Sequence, residues 1–368
     1  MRVNAPRPET CSTRLPRLTA ILVNYNGWPD VVRLVAALSA EPELRQDRLH
    51  VVVVDNASQG PVPEPLLRDP PPGLKLLLRP DNGGFAVGVN AGWRLSRSPW
   101  LLVLNPDVEI ESGLVGQVLA RIEHYEQQPS GTPGIVGFGL RNPDGTPQGS
   151  VGVSPSIWRT VREQFIPRYR RKYQSGWRIR SGPVDWVTGA CMLLNARMMA
   201  QLEGMDEDFF LYYEEVALCH AAQTKGWRVE YDESVQVVHR HPLQNRAISP
   251  KMRVITRHSK LLYFRKYLPR WQFLALTWIV TGEAAIRGAI SGVRGREEAI
   301  RAWTTIGDLA RRFRTGKFVK GSDMVPMAEA VESKRSSHFS RFPTALPRCG
   351  GDPNEVAEAK KRLRTGTR

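Results

Sequence analysis

Short apolar runs alternate with amphipathic stretches through the first 130 residues, and each run stops at a polar cluster. Thr19–Asn24 (TAILVN), His50–Val54 and Leu74–Leu78 read as strands. Trp100–Leu104 (WLLVL) reads as a fourth, apolar enough to be buried on both faces. Pro29 and Asp30 open a helix that reaches Ala40, and helices are predicted over Ala86–Leu95 and about Leu114–Glu126. This alternation suits right-handed βαβ units and an α/β fold with a mostly parallel sheet flanked by helices. Three strands end in polar clusters: Asp55-Asn56-Ala57-Ser58, then Arg79 through Phe85 (RPDNGGF), then Asn105-Pro106-Asp107. Pro106 has no amide hydrogen, so the fourth strand stops there and Asp107 is delivered at its carboxyl end. Ligands bind at that edge of open α/β sheets.

The pattern loosens over Gly131–Ser181, where a strand near Ile135–Leu140 is followed by loops expected to cover the edge. Asp185–Asn195 reads as one further core strand, Arg197–Glu203 as a short helix, and Met205–Glu215 (MDEDFFLYYEE) as a loop of aromatics and acids. Val216–Lys225 is a predicted helix closed by Gly226 at C′. Arg228–Tyr231 and Val235–Val238 are short strands, the second ending in His239. Helices are expected over Lys251–Tyr267, Trp271–Ala289 and Glu297–Arg314. The organisation expected is an N-terminal extension (1–17), an α/β domain (18–245), a basic helical module (246–321) and a disordered polar tail (322–368).

Charge sharpens that division. The net charge is +16, yet Arg240–Lys320 alone holds 18 Lys/Arg against 4 Asp/Glu. The basic character therefore belongs to the C-terminal module, which suits lipid headgroups, lipid-linked phosphates or nucleic acid. No nucleic-acid motif accompanies it, and the excess sits beside an apolar, Trp-bearing segment, so an anionic membrane surface is favoured and nucleic acid is not. The uncharged run Trp271–Gly282 is shorter than the ~20 residues needed to span a bilayer. It is expected to be interfacial or buried. Scattered cysteines and the absence of an apolar stretch in residues 1–17 point to a cytoplasmic protein, peripheral on the inner face of the membrane.

Each candidate side chain admits two readings. Asp55 suits a nucleobase or ribose, or a helix N-cap or Asx-turn. Asn82-Gly83-Gly84-Phe85 suits close backbone approach to a ligand, or a glycine turn opening a helix; Asn90 lies about a turn further on. Asp107 is a hard oxygen ligand for a cation bridging two phosphates, or the acid of an ordinary Pro-Asp turn. His239 is a second ligand or a structural histidine. Glu214 and Glu215 stand near a helix N-terminus, where the dipole favours the ionised base, but acids are common there in any helix. NGGFAVG is not GxGxxG after the first strand, which disfavours a dinucleotide oxidoreductase.

Together, Ile21–Asn26 (ILVNYN), Val53–Ser58 (VVDNAS), Asn82–Asn90 (NGGFAVGVN), Leu102–Val108 (LVLNPDV), Gly189–Leu194 (GACMLL), Met205–Glu215 and Val237–His239 resemble the inverting family 2 glycosyltransferases of GT-A fold. The likeness is greatest to the bacterial rhamnosyltransferase-like branch and covers about Leu18–His241. It implies transfer of a sugar, rhamnose favoured, from a dTDP- or UDP-linked donor to a glycan or lipid-linked glycan, with Mg2+ or Mn2+. Donor contacts are implied for Asn24, Asn26, Asp55, Asn56, Asn82, Gly83, Gly84, Asn90, Asn105 and Asp107. Acceptor contacts are implied for Trp186, Gly189 and Ala190, metal ligation for Asp107 and His239, and catalysis for Glu215 with Glu214. The family pattern YYEDxDLxxR is altered here: Glu215 replaces the usual Asp base, and Ala217 and Ala221 replace an Asp and an Arg. A catalytically silent binding or scaffold protein of the same fold stays open as a second class.

Overall fold

The computed structural model describes residues 15–129, 131–163, 180–241 and 248–332. β1 (Leu18–Asn24) is buried at every position, as a strand covered on both faces must be. Its side chains alternate between two cores. Leu18, Ala20 and Leu22 pack with α1 (Trp28–Ala40), while Ile21 and Val23 pack on the other face. A helical turn, α2 (Pro42–Arg45), leads into β2 (Leu49–Asp55), and the Pro-rich loop after it holds another, α3 (Glu64–Leu67). β3 (Leu74–Leu78), α4 (Phe85–Leu95), β4 (Trp100–Leu104), the two-residue β5 (Val108–Glu109) and α5 (Leu114–Glu126) follow. β3, β2, β1 and β4 lie side by side and parallel, so the three polar clusters do share one sheet edge.

Beyond β4 the sheet becomes mixed. The next elements are β6 (Ile135–Arg141), β7 (Pro147–Gln148), β8 (Val151–Gly152), α6 (Ile157–Glu163), β9 (Gly182–Pro183), β10 (Trp186–Val187) and β11 (Cys191–Asn195). α7 (Ala196–Gln201), α8 (Glu214–Thr224) and β12 (Val229–His239) complete this half. The order is β3-β2-β1-β4-β11-β6-β12-β5, with β11 antiparallel to both neighbours and β12 parallel to β6. Two expectations are corrected here. Asp185–Asn195 is two strands, because the chain leaves β10 at Thr188 to bring Gly189 and Ala190 to the sheet edge before β11 begins. Conversely, the two short strands expected over 228–238 are one, β12, with a register shift between Asp232 and Gln236. That long strand returns His239 to pair with Val108, beside the Asn-Pro-Asp turn.

α9 (Pro250–Tyr267), α10 (Arg270–Val293) and α11 (Glu297–Arg314) lie close to where the pattern put them, and the Ser249 hydroxyl caps α9 by accepting from the Met252 amide. They do not stand apart as a module. Val254, Leu261, Phe264 and Phe313 belong to the same buried cluster as Ile21, Val103 and Met192, and one compact unit runs through Glu332. The tail expected from residue 322 is helical at its start: α12 (Gly321–Glu332) buries Met324, Ala328 and Val331. Residues 1–14 of the expected extension and 333–368 of the expected tail lie outside the described residues, as do 164–179 of the covering loops.

Candidate functional site

Asn24 and Asp55 end two neighbouring strands in register, and the Asn24 amide donates to Asp55 Oδ1 at 2.7 Å. The Asp55 carboxylate also accepts from the Ser58 hydroxyl (2.5 Å) and the Ser58 amide (2.9 Å), a cap-like contact to the backbone three residues on. Asn26, at φ +58°, receives the Gln59 amide on its side-chain oxygen and gives its own amide to the Ser58 hydroxyl. Asn56 is buried, with its amide donating to the Gly84 carbonyl at 2.9 Å. Asn24, Asn26, Asp55 and Asn56 thus form one interlocked corner at the ends of β1 and β2.

The NGGF turn joins this corner to the loop that carries the acids. Asn82 caps the turn by accepting from the Gly84 amide, and Gly83 lies against Val87, where an added Cβ would be 2.9 Å from its methyl. Gly84 sits at φ +96°, and a Cβ there would meet the Phe210 carbonyl oxygen at 2.1 Å. That approach lets the Phe85 amide donate to the Phe210 carbonyl at 2.9 Å. Only glycine permits both the dihedral and the contact.

On the other flank, the Asn105 amide donates to the Ala190 carbonyl at 2.9 Å, which places Gly189-Ala190 beside the Asn105-Pro106-Asp107 turn. Asp107 Oδ1 lies 3.4 Å from His239 Nε2. His239 Nδ1 donates to Gln148 Oε1 at 2.7 Å, and Gln148 in turn donates to the Asn142 side chain at 2.9 Å. A side-chain carbonyl only accepts, so Gln148 holds a proton on Nδ1 and aims Nε2 at Asp107. Two Lewis bases facing each other at that distance repel unless a proton or a cation lies between them. A hard carboxylate with an imidazole, the latter oriented by a carbonyl behind it, is a donor set that fits Mn2+ or Mg2+. Among the described residues no three His, Cys, Asp or Glu side chains converge as a metal cluster.

Glu214 and Glu215 are the first two residues of α8 and both are buried. Tyr212 and Tyr213 before them adopt φ +68° and +71°. Consecutive non-glycine residues in this region cost on the order of 1–3 kcal/mol each and persist only where the surroundings impose them. Here the surroundings are the C-terminal helices. The Ser259 hydroxyl donates to the Leu211 carbonyl (2.8 Å), the Tyr263 ring lies 5.6 Å from that of Tyr213, and the Gly321 amide donates to the Asp208 carbonyl (2.9 Å). Lys266 bridges Asp206 and Asp208 at 2.7 and 2.5 Å. Burial works against the charge of Lys266, but the two carboxylates outweigh it and raise its pKa. The acid-bearing loop is thus held between the glycine turn of α4 and the basic helices.

Two candidate side chains are buried and bonded within the protein. Trp186 is buried in β10, and its indole N–H donates to the Val153 carbonyl at 3.0 Å, so it fixes the 148–154 segment. Asn90 is buried in α4 and its side chain exchanges hydrogen bonds with the backbone of Met205 at 2.8 and 2.9 Å. It positions the acid-bearing loop. Sequence reasoning passed over Gln148, Ser58, Ser259 and Lys266. Only Ser58 had a local signal, its place three residues after Asp55; the others act across long chain separations.

Residues 19–198 match the family model described as Glycosyl transferase family 2. A protein of Mycobacterium tuberculosis strain H37Rv named N-acetylglucosaminyl-diphospho-decaprenol L-rhamnosyltransferase is 27% identical over 295 residues, covering 73% of this chain and 91% of its own. The low-salt glycan biosynthesis hexosyltransferase Agl10 of Haloferax volcanii is 26% identical over 293 residues, covering 76% and 88%. Among solved structures, a mannosyltransferase of Pyrobaculum calidifontis in complex with GDP-Man and Mn2+ matches with a TM-score of 0.46 at 18% identity, covering 87% of each chain. The architecture here is a mixed sheet flanked by helices with a C-terminal helical region.

Proposed function

Residues 19–198 carry a glycosyltransferase family 2 domain, and from that premise we propose that the protein moves a sugar, rhamnose first among the candidates, from a dTDP- or UDP-linked donor to a lipid-linked glycan acceptor. The observation that carries the reading is the convergence of Asp107 Oδ1 and His239 Nε2 at 3.4 Å, beside Asn105 and Ala190 at the sheet edge. A divalent cation, Mg2+ or Mn2+, held there would offset the charge of the donor diphosphate. The corner of Asn24, Asn26, Asp55 and Asn56 takes the nucleoside, and Asn82-Gly83-Gly84 borders the donor. Gly189 and Ala190 border the acceptor.

Glu215 takes the proton of the acceptor hydroxyl as that oxygen attacks the anomeric carbon. The bond from that carbon to the diphosphate oxygen breaks in the same displacement, so configuration inverts. Glu214 shapes the first turn of α8. Both carboxylates stand in the first turn of α8, where the helix dipole favours negative charge. The lipid-linked acceptor is supported by the diphospho-decaprenol in the name of the mycobacterial relative, and a protein that acts on such an acceptor would work at a membrane face, the cytoplasmic one in this reading. Thermal unfolding of the purified protein with a panel of nucleotide sugars and Mn2+ tests the donor. A true donor at 100 Kd stabilises by about 2.7 kcal/mol, and a panel with no stabilising member would overturn the reading.

A further inference from the structure

α10 buries one side and leaves the other bare. Phe273, Leu276, Thr277, Val280, Ala284 and Ser291 pack inward. Trp271, Trp278, Ile286, Ile290 and Val293 fall on one stripe at helical spacing and are exposed, Trp278 by 62% and Ile286 by 65%. The stripe is continued by α6. The Ile157 amide donates to the Gln272 side chain at 2.9 Å, and the residues next to those two in sequence are Trp158, 74% exposed, and Trp271, 54% exposed.

The helix is long and apolar enough to cross a membrane by composition alone, but its inward side is part of the protein core. Spanning would strip that side from its partners, whereas lying flat leaves it in place. Charge selects what covers the stripe. Arg270, Arg294 and Arg296 are exposed at its ends, and the Arg314 guanidinium stacks 3.9 Å over the Trp278 ring. Glu283 is the one acid in residues 270–296, and its side chain is buried against Arg257 and Arg287. Exposed tryptophans and an apolar stripe edged by arginines match the boundary between anionic headgroups and acyl chains.

We propose that the exposed face of α10, with Trp158 of α6, docks on an anionic lipid bilayer and lies flat in its interface. This deepens the lipid-linked-acceptor reading and rests on it for its purpose. The same segment connects the docking face to the site. Between Gln148, which holds His239, and Trp158 lie only nine residues, fixed midway by Trp186 on the Val153 carbonyl and by Asp185 on the Ser154 amide at 2.6 Å. A bilayer on this face lies at the Gln148–Trp158 flank of the sheet edge, and a lipid-linked acceptor enters there.

The test is co-sedimentation of the full chain with vesicles of phosphatidylglycerol and phosphatidylcholine, without donor or acceptor. Trp271→Ser/Trp278→Ser/Ile286→Ser removes the stripe, and Leu67→Ser removes an exposed leucine elsewhere. Wild type and Leu67→Ser bind, and the triple variant, with an unchanged melting temperature, binds about tenfold or more weakly, from the apolar area withheld. Equal binding by the triple variant, or no binding by wild type, overturns the proposal. So does a wild-type dimer that the substitutions dissolve while vesicle binding persists, which gives the face to a second copy. Because the assay needs no turnover, bound protein that transfers no sugar fails the functional reading alone.

Discussion

His239 faces Asp107 with Nε2 3.4 Å from Oδ1, while Gln148 holds the opposite ring nitrogen at 2.7 Å. The pair stands where β12 returns to the end of β4, so a residue 132 positions downstream completes the turn that Pro106 begins. Donor-nucleotide affinity should therefore require a divalent cation and collapse in EDTA for wild type, while Asp107→Asn and His239→Ala respond to neither. Gln148→Leu leaves both ligands but frees the imidazole, and should cost about 10–100-fold in Mn2+ affinity, the usual scale for such a partner. Titration calorimetry with and without chelator measures both.

Gly84→Ala should displace the Phe210 carbonyl that now occupies the space of a Cβ. The loss is about 1–3 kcal/mol from the dihedral alone, with more from the clash. Gly113 is the comparison: its φ is +85°, yet nothing lies within 4 Å of a Cβ there. Gly113→Ala should lower the melting temperature less and leave turnover intact, whereas Gly84→Ala should lower both.

Lys266→Ala removes the bridge to Asp206 and Asp208 without touching the sheet edge. The acids of α8 should then sit less accurately. A shift of about 1 Å can cost on the order of 10²-fold in rate, so kcat should fall while donor affinity is unchanged. Lys266→Arg should restore part of the loss. A purely stabilising role would lower the melting temperature of Lys266→Ala and leave kcat alone.

Acid should loosen the helical region through Glu283. Burial would lift this carboxyl, but Arg257 at 2.8 Å and Arg287 at 3.0 Å outweigh it and hold the pKa below 4.5. The unfolded chain then takes up the proton first as pH falls, so this stability is present above about pH 4.5 and is lost as pH drops through the lower folded value. Glu283→Gln should be less stable than wild type at neutral pH, with the gap closing below pH 4.5 in chemical denaturation series.

The strand ends were legible because each short apolar run stopped at a polar cluster, and a parallel sheet aligns such ends. Asn24, Asp55, Asn82–Gly84, Asn105 and Asp107 all reached one edge for that reason. The break at Thr188–Ala190 was marked only by Thr188 and Gly189 inside the otherwise apolar run Trp186–Leu194, a signal that fits an irregularity within one strand as well as a break between two. The ligand contacts of Trp186 and Asn90 came from the resemblance alone, and no local pattern encodes the bonds that the two side chains make to Val153 and to Met205 and Glu207. The grip of Ser259, Lys266 and Gly321 on the acid-bearing loop joins segments some fifty to over one hundred residues apart, and no local pattern encodes it.

Transfer kinetics of Glu215→Gln against Glu214→Gln test the central claim most directly, with dTDP-rhamnose as donor and a lipid-diphosphate-linked N-acetylglucosamine as acceptor. Wild type should add one sugar with inverted anomeric configuration. Glu215→Gln should lose about 10²–10⁴-fold in kcat, the usual contribution of a general base, while donor affinity survives and Glu214→Gln keeps most activity. Glu215→Asp, which restores the family's usual residue, should keep or raise it. Wild-type rates in both glutamine variants, or a protein that binds the donor yet transfers to no acceptor, would contradict the account.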